Sequence, residues 1–320
     1  MSNLNHDLLG VFGLLLTPFR STGEIDWPTY DEYVDWQLGQ APHGLFAACG
    51  SSELHSLSPQ ERVQLARRAV ARAGNTPVAA VANADRDPSR HADELARIVD
   101  SGVSAVVFIP PDGVGTDQRT LTDYFAALAE RSPVPVILYE IPSAKPKDIA
   151  PATYGTLVRE TSVCGIKDTS GTVAGAMAKM VAAPGGIVYQ AVAPFLLDTL
   201  RAGGNGAMVI ASTACSRLVV DLWDRVMEER AAAADPNPAA DPNPAARTKP
   251  AALAETAHRH LTYLNAVLEL GYMATAKYLV SLQGIPMNVL CRSGRTLAPM
   301  AAKSIETWYH HYREGERDER

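Results

Sequence analysis

The sequence of 320 residues has little that favours a nucleic-acid partner or a disulfide framework. Its formal net charge is −6, so no excess of basic side chains is available to hold a phosphate backbone. No two cysteines form a CxxC pair, which argues against a zinc site and against a fold held by disulfides. The sequence therefore predicts free thiols in a reducing compartment, namely Cys49, Cys164, Cys215 and Cys291.

Long hydrophobic runs are also missing. The longest early apolar run, from Val11 to Leu16, is too short to cross a membrane and lacks the flanks of a signal peptide. We therefore expect a cytoplasmic protein without a membrane partner. Three histidines (His43, His55 and His91) lie in different predicted loops without the spacing of metal ligands, so the sequence predicts no metal site.

Short apolar runs recur along the first two thirds of the chain and are continuous rather than alternating, which is typical of parallel strands buried on both faces. They span residues 11–17, 44–49, 78–82, 105–110, 134–139, 163–167, 187–191 and 207–211. Amphipathic segments separate them, and the stretch from Ser58 to Glu61 has the N-cap, proline and glutamate of a helix start.

Eight strands alternating with helices predict a protein of the α/β class that closes as a (β/α)8 TIM barrel. A doubly wound open sheet is the alternative. Such a sheet would favour a GxGxxG turn after its first strand, and the residues from Thr17 to Arg20 do not form one.

The predicted domains are a barrel over residues 1–217 and a C-terminal helical extension over residues 218–320. Within the extension, residues 232–250 contain two copies of Ala-Asp-Pro-Asn-Pro-Ala. The segment has no apolar face and its prolines oppose a helix, so we interpret it as a disordered surface insertion rich in proline and alanine.

Lys167 ends the sixth predicted strand, and a polar turn containing Gly171 follows directly. The carboxyl ends of barrel strands are where TIM barrels carry their chemistry. A lysine that loses hydration there can be neutral near pH 7 and can condense with a ketone to a Schiff base. The alternative is a lysine that leaves the strand and is solvated.

Two further strand ends carry polar groups. The turn containing Gly50, Ser51 and Ser52 offers backbone N–H groups and hydroxyls to a carboxylate, although capping serines in an ordinary turn would look the same. Tyr139 could pass protons beside an imine, or could be a core tyrosine with a satisfied hydroxyl. Glu140 could orient a substrate amine or hydroxyl, or could point between barrel and helices and pair with a lysine such as Lys145. One lysine that can form an imine, one phenol and one carboxylate-binding turn together suit a 2-oxo acid.

The order of these motifs resembles the family of dihydrodipicolinate synthases and N-acetylneuraminate lyases. The shared features are Thr-Pro-Phe after the first strand, Gly-Ser-Ser-Glu after the second, Tyr-x-x-Pro after the fifth and Gly-Ile-Lys-Asp-Thr-Ser-Gly around Lys167. The resemblance implies a homodimer or homotetramer that uses Schiff-base chemistry without a cofactor. It assigns the imine to Lys167, proton transfer to Tyr139, carboxylate binding to the turn at Ser51 and Ser52, and the pocket lining to Met208.

Departures from the family pattern argue against a dihydrodipicolinate synthase proper. The arginine expected after Ser143 is replaced by Ala144, the turn after strand four has no tyrosine, and Gly50 takes the place of a hydroxyl residue. We therefore predict a class I lyase or aldolase acting on pyruvate or another 2-oxo acid. One alternative is a dehydratase of a keto-deoxy sugar acid, similar to 5-dehydro-4-deoxyglucarate dehydratase, and a second is a 2-oxo acid binding protein without activity.

Overall fold

A closed barrel of eight parallel strands forms the centre of the protein in a computed structural model that describes residues 6–112, 117–140, 148–234 and 244–318. Neighbours in the sequence are neighbours in the sheet, and β8 closes on β1. The strands are β1 Gly10–Leu14, β2 Gly44–Ala47, β3 Val78–Val81, β4 Ala105–Phe108, β5 Val136–Tyr139, β6 Val163–Asp168, β7 Ile187–Gln190 and β8 Gly206–Ala207. The predicted TIM barrel is confirmed.

Helices follow the strands in the alternating order that the sequence predicts. They are α1 Trp27–Gly39, α2 Pro59–Ala73, α3 His91–Val99, α4 Gln118–Ala129, α5 Pro151–Glu160, α6 Val173–Ala182, α7 Leu196–Arg201, α8 Ser216–Ala233, α9 Pro244–Leu268, α10 Ala274–Leu282 and α11 Pro299–Asp318. The capping box predicted for α2 is present: Glu61 N–H donates to Ser58 Oγ, and Ser58 N–H donates to the Glu61 carboxylate. No helix among these described segments is long and apolar enough to cross a membrane.

The core has two layers because successive side chains of each strand point to opposite faces. One layer fills the barrel and includes Phe12, Phe46, Tyr139, Tyr189 and Met208. The other layer packs the outer faces of the strands against the surrounding helices. Both faces of the strands are therefore largely apolar, which explains the continuous hydrophobic runs in the sequence.

Strand β8 is shorter than predicted and ends at Ala207. A 3₁₀ turn, Ile210–Thr213, replaces the rest of the expected strand. The hydroxyl of Ser212 accepts a hydrogen bond from Leu14 N–H at 3.2 Å, and its proton is shared between the carbonyls of Phe12 at 3.0 Å and Val209 at 2.8 Å. A side chain thus satisfies backbone groups of β1 that a longer β8 would have paired.

Two C-terminal helices extend into residues 232–250, which the sequence predicts to be disordered. Helix α8 continues to Ala233, and α9 already begins at Pro244 and contains Pro250. Pro244 stands at the first position of α9, where no N–H is needed, whereas Pro250 lies inside the helix, where it cannot donate a backbone hydrogen bond. Residues 235–243 of the predicted insertion lie outside the described residues.

Candidate active site

Lys167 lies on β6 beside Tyr139 of β5, with which it is in register. Lys167 is 4% exposed, and its Nζ lies 4.2 Å from the centroid of the Tyr139 ring and 5.5 Å from the centroid of the Phe46 ring. Burial lowers the pKa of Lys167 to about 8, an effect that the nearby Cys49 thiol opposes. The side chain therefore meets two aromatic faces and little water, which disfavours its charged form.

Three lysines are buried among the described residues, and they differ in their partners. Lys179 donates to Asp168 at 2.5 Å and to Glu140 at 2.8 Å. Lys277 donates to Glu53 at 2.7 Å and to the carbonyl of Leu290 at 2.6 Å. Within the described part of the chain, the Lys167 amine has neither a hydrogen bond nor a carboxylate. It is the buried amine that remains available to react.

Tyr139 ends β5 and contributes its ring to the layer inside the barrel. Burial raises the pKa of its phenol, so the hydroxyl keeps its proton throughout the neutral range. A Cβ added at Gly50 would lie 3.3 Å from the Tyr139 oxygen. The phenol therefore faces the turn after β2, and the missing side chain at Gly50 leaves space next to it.

The turn after β2 is a single 3₁₀ turn, Gly50–Ser52. Ser52 uses its hydroxyl within the protein: it donates to the carbonyl of Leu15 at 2.5 Å and accepts from Cys49 N–H at 3.0 Å. The backbone N–H of Ser52 donates to the Cys49 carbonyl. The N–H groups of Gly50 and Ser51 have no acceptor among the described residues, because they open the turn.

Glu140 points away from the barrel interior and into the outer layer. Its carboxylate accepts from Ile149 N–H at 2.8 Å, from Thr169 N–H at 3.3 Å and from Lys179. Burial raises the pKa of Glu140, and Lys179 opposes that rise. Of the two sequence interpretations, pairing with a lysine between barrel and helices is therefore the one observed. The expected partner Lys145, like Ala144, lies outside the described residues.

Met208 follows β8 and is fully buried in the interior layer, together with Tyr139 and Tyr189. At the end of β7, the side chain of Gln190 turns outward and donates to Thr199 at 3.0 Å. The described residues that line the inside of the barrel near Lys167 are thus mostly apolar.

Two side chains of the C-terminal extension reach the turn after β2, and the sequence reasoning missed both. Tyr272 Oη donates to Ser51 Oγ at 2.6 Å, and Lys277 pairs with Glu53 in an ion pair whose side chains are completely buried. Only Lys277 had a signal in the sequence, since a lysine within the apolar run from Ala274 to Val280 requires a buried partner.

A closed parallel barrel with polar groups at the carboxyl ends of β2, β5 and β6 places the protein in the (β/α)8 class, whose enzymes carry their active sites at these strand ends. The model of the Dihydrodipicolinate synthetase family matches residues 7–240. The chain therefore belongs to this family, as the motifs predicted, and it is a lyase of carbon–carbon or carbon–oxygen bonds.

Curated relatives with sequence similarity include two 4-hydroxy-tetrahydrodipicolinate synthases. That of Leptothrix cholodnii is 27% identical over 218 residues, which cover 67% of this chain and 74% of the relative. That of Pseudomonas aeruginosa is 28% identical over 232 residues, which cover 71% and 78% of the two chains.

Solved structures share the fold at lower identity. The prophage protein YagE of E. coli K12, crystallised in complex with pyruvate, has a TM-score of 0.82 at 22% identity, covering 95% of this chain and 98% of its own. The 4-hydroxy-tetrahydrodipicolinate synthase of Methylacidiphilum fumariolicum SolV has a TM-score of 0.83 at 21% identity, covering 96% of each chain.

Proposed function

We propose that the protein is a class I lyase that forms a Schiff base between Lys167 and pyruvate or another 2-oxo acid. The observation that carries this proposal is the contrast among the buried lysines. Lys179 and Lys277 are held by carboxylates, whereas Lys167 has no carboxylate partner among the described residues and has a pKa lowered to about 8. A buried lysine without a counter-ion is costly to the fold, and such groups cluster at functional sites.

The proposed reaction begins when the neutral Lys167 amine attacks the ketone carbon of the 2-oxo acid. A proton moves from the attacking nitrogen to the carbonyl oxygen to give a carbinolamine, and Tyr139 gives its proton to the hydroxyl, which leaves as water. The resulting iminium draws electrons from the adjacent carbon. The Tyr139 phenolate then takes a proton, either from that carbon or from the hydroxyl next to a carbon–carbon bond that cleaves, and the enamine forms. Protonation of the enamine carbon by Tyr139 restores the iminium, and its hydrolysis returns a proton to Tyr139 and frees Lys167.

The carboxylate of the substrate would lie at the turn after β2. The N–H groups of Gly50 and Ser51 and the hydroxyl of Ser51 supply three donors, as a carboxylate prefers. Ser52 fixes the shape of this turn through Leu15 and Cys49. Met208 would close the side of the pocket, and an apolar lining suits a substrate with few hydroxyl groups beyond the 2-oxo acid.

Borohydride trapping with pyruvate, followed by peptide mass mapping, tests the proposal. We expect a pyruvyl adduct on the peptide that contains Lys167, and no adduct at the site in the Lys167→Ala variant. Lys303→Ala is the matched control because Lys303 is exposed on α11 and should leave trapping unchanged. A folded wild-type protein that forms no adduct with any 2-oxo acid would refute the Schiff-base proposal.

The same experiment separates the alternatives that the sequence left open. Trapping of longer 2-oxo acids but not of pyruvate would favour the dehydratase of a keto-deoxy sugar acid. Binding without an adduct, and without exchange of the pyruvate methyl protons with solvent, would favour a protein that only binds 2-oxo acids. The homodimer or homotetramer that the family resemblance implies, and the cytoplasmic location expected from the sequence, remain part of the proposal. Sedimentation tests the oligomeric state.

A further inference from the structure

Tyr272 lies between α9 and α10, far from the barrel in the sequence, yet its hydroxyl reaches the turn after β2. Tyr272 Oη donates a hydrogen bond of 2.6 Å to the hydroxyl oxygen of Ser51. Burial raises the pKa of Tyr272 well above its ordinary value, and Tyr139 is near enough to add to this effect. The two phenols thus lie on the same side of the molecule as Lys167, with Ser51 in contact with one of them.

The direction of this hydrogen bond determines where the Ser51 proton goes. A hydroxyl has one proton to donate and lone pairs that accept. Because Ser51 accepts from Tyr272, its own proton remains available, and no acceptor among the described residues takes it. Ser52 is the opposite case, since its proton is donated to Leu15. Two adjacent serines therefore have different roles, and only Ser51 presents a donor to the pocket.

The backbone holds Tyr272 in this position. The next residue, Met273, has φ of +74°, a left-handed conformation that is strained for a side chain of this size. Lys277, one helical turn further on, forms the buried ion pair with Glu53, which is two residues after Ser51. The ion pair fixes the two segments against each other, so the hydrogen bond between Tyr272 and Ser51 is constrained from both sides.

We infer that Tyr272 is a positioning residue for substrate binding: it orients the Ser51 hydroxyl so that its proton points to the carboxylate of the 2-oxo acid. The inference rests on the proposed function, since it names the residue that organises the same site. Tyr272 acts through Ser51 and need not touch the substrate. It follows that recognition of the carboxylate depends on the C-terminal helices as well as on the barrel.

The test is the initial rate of borohydride trapping as a function of pyruvate concentration. We expect Tyr272→Phe to raise the half-saturating pyruvate concentration about tenfold, the size of one lost hydrogen bond to a charged group, with the rate at saturation unchanged. Tyr278→Phe is the matched control. The Tyr278→Phe variant also loses a hydrogen bond of 2.6 Å, but this bond goes to Glu306 on α11. We therefore expect no change in its half-saturating pyruvate concentration.

A double variant shows whether Tyr272 acts through Ser51. If it does, Tyr272→Phe should add nothing in a Ser51→Ala background, because the hydroxyl to be oriented is already gone. Additive effects would overturn the inference, as would a loss of saturating rate at constant half-saturation, which would indicate proton transfer by Tyr272 itself. Failure of the wild-type protein to trap any 2-oxo acid would instead refute the proposed function.

Discussion

Replacing Lys167 with methionine should make the folded protein more stable at pH 7 while it abolishes imine formation. Methionine has a similar length and no charge, so it can occupy the space between the rings of Tyr139 and Phe46. The pKa of Lys167 falls from 10.5 to about 8 on folding. At about 1.4 kcal/mol per unit, the charged lysine costs the folded state about 3 kcal/mol.

The pH dependence of this difference follows from the direction of the pKa shift. Between pH 8 and 10.5 the unfolded chain binds a proton at Lys167 that the folded protein has released. The free energy of unfolding therefore rises with pH across this interval, because Lys167 destabilises the folded protein less and less. Below pH 8 the destabilisation by Lys167 is present in full. The advantage of Lys167→Met should be largest below pH 8 and should shrink towards pH 10.

Urea denaturation of both proteins at pH 7 and at pH 9.5 measures the effect. Lys277→Met is the matched control, because this buried lysine has a carboxylate partner and its removal leaves Glu53 unpaired. We expect that control to be destabilised by roughly 3–5 kcal/mol. The reasoning is refuted if Lys167→Met is no more stable than the wild type at pH 7, or if its advantage is independent of pH.

Three further outcomes are expected. The trapping rate should be half-maximal near pH 8 and should fall about tenfold per pH unit below pH 7, as the neutral fraction of Lys167 does; a flat profile would contradict the lowered pKa. Tyr139→Phe should slow exchange of the pyruvate methyl protons about a hundredfold, and an unchanged rate would remove Tyr139 from proton transfer. Glu53→Gln should lower the free energy of unfolding by roughly 3–5 kcal/mol in urea, since it leaves Lys277 charged and buried.

The barrel could be predicted from the sequence because each of its strands is marked by residues that are adjacent in the chain. Each strand is a continuous apolar run, and the parallel topology places all carboxyl ends at one edge. The neighbouring positions of Tyr139 and Lys167 follow from that rule, and the register of β5 and β6 agrees with it. The short β8 was not predictable, since it depends on a hydrogen bond between Ser212 and β1 across 198 residues.

The contribution of the C-terminal helices was missed for the same physical reason. The hydrogen bond from Tyr272 to Ser51 joins residues 221 positions apart, and the ion pair of Lys277 with Glu53 joins residues 224 apart. A pattern of residues close together in the sequence does not predict contacts between residues so far apart. The two interpretations of Glu140 were also undecided in the sequence, because alternation along a strand breaks down where the strand ends.

The ion pair between Glu53 and Lys277 joins a turn that is synthesised early to a helix that is synthesised late. A ribosome completes all eight strands before it reaches Lys277, so a growing chain can close its barrel while Glu53 still lacks its cation. Until α10 docks, the turn after β2 has neither that counter-ion nor the hydroxyl of Tyr272. Lys167 is thus synthesised before Tyr272 and Lys277, the two C-terminal residues whose side chains contact the turn after β2.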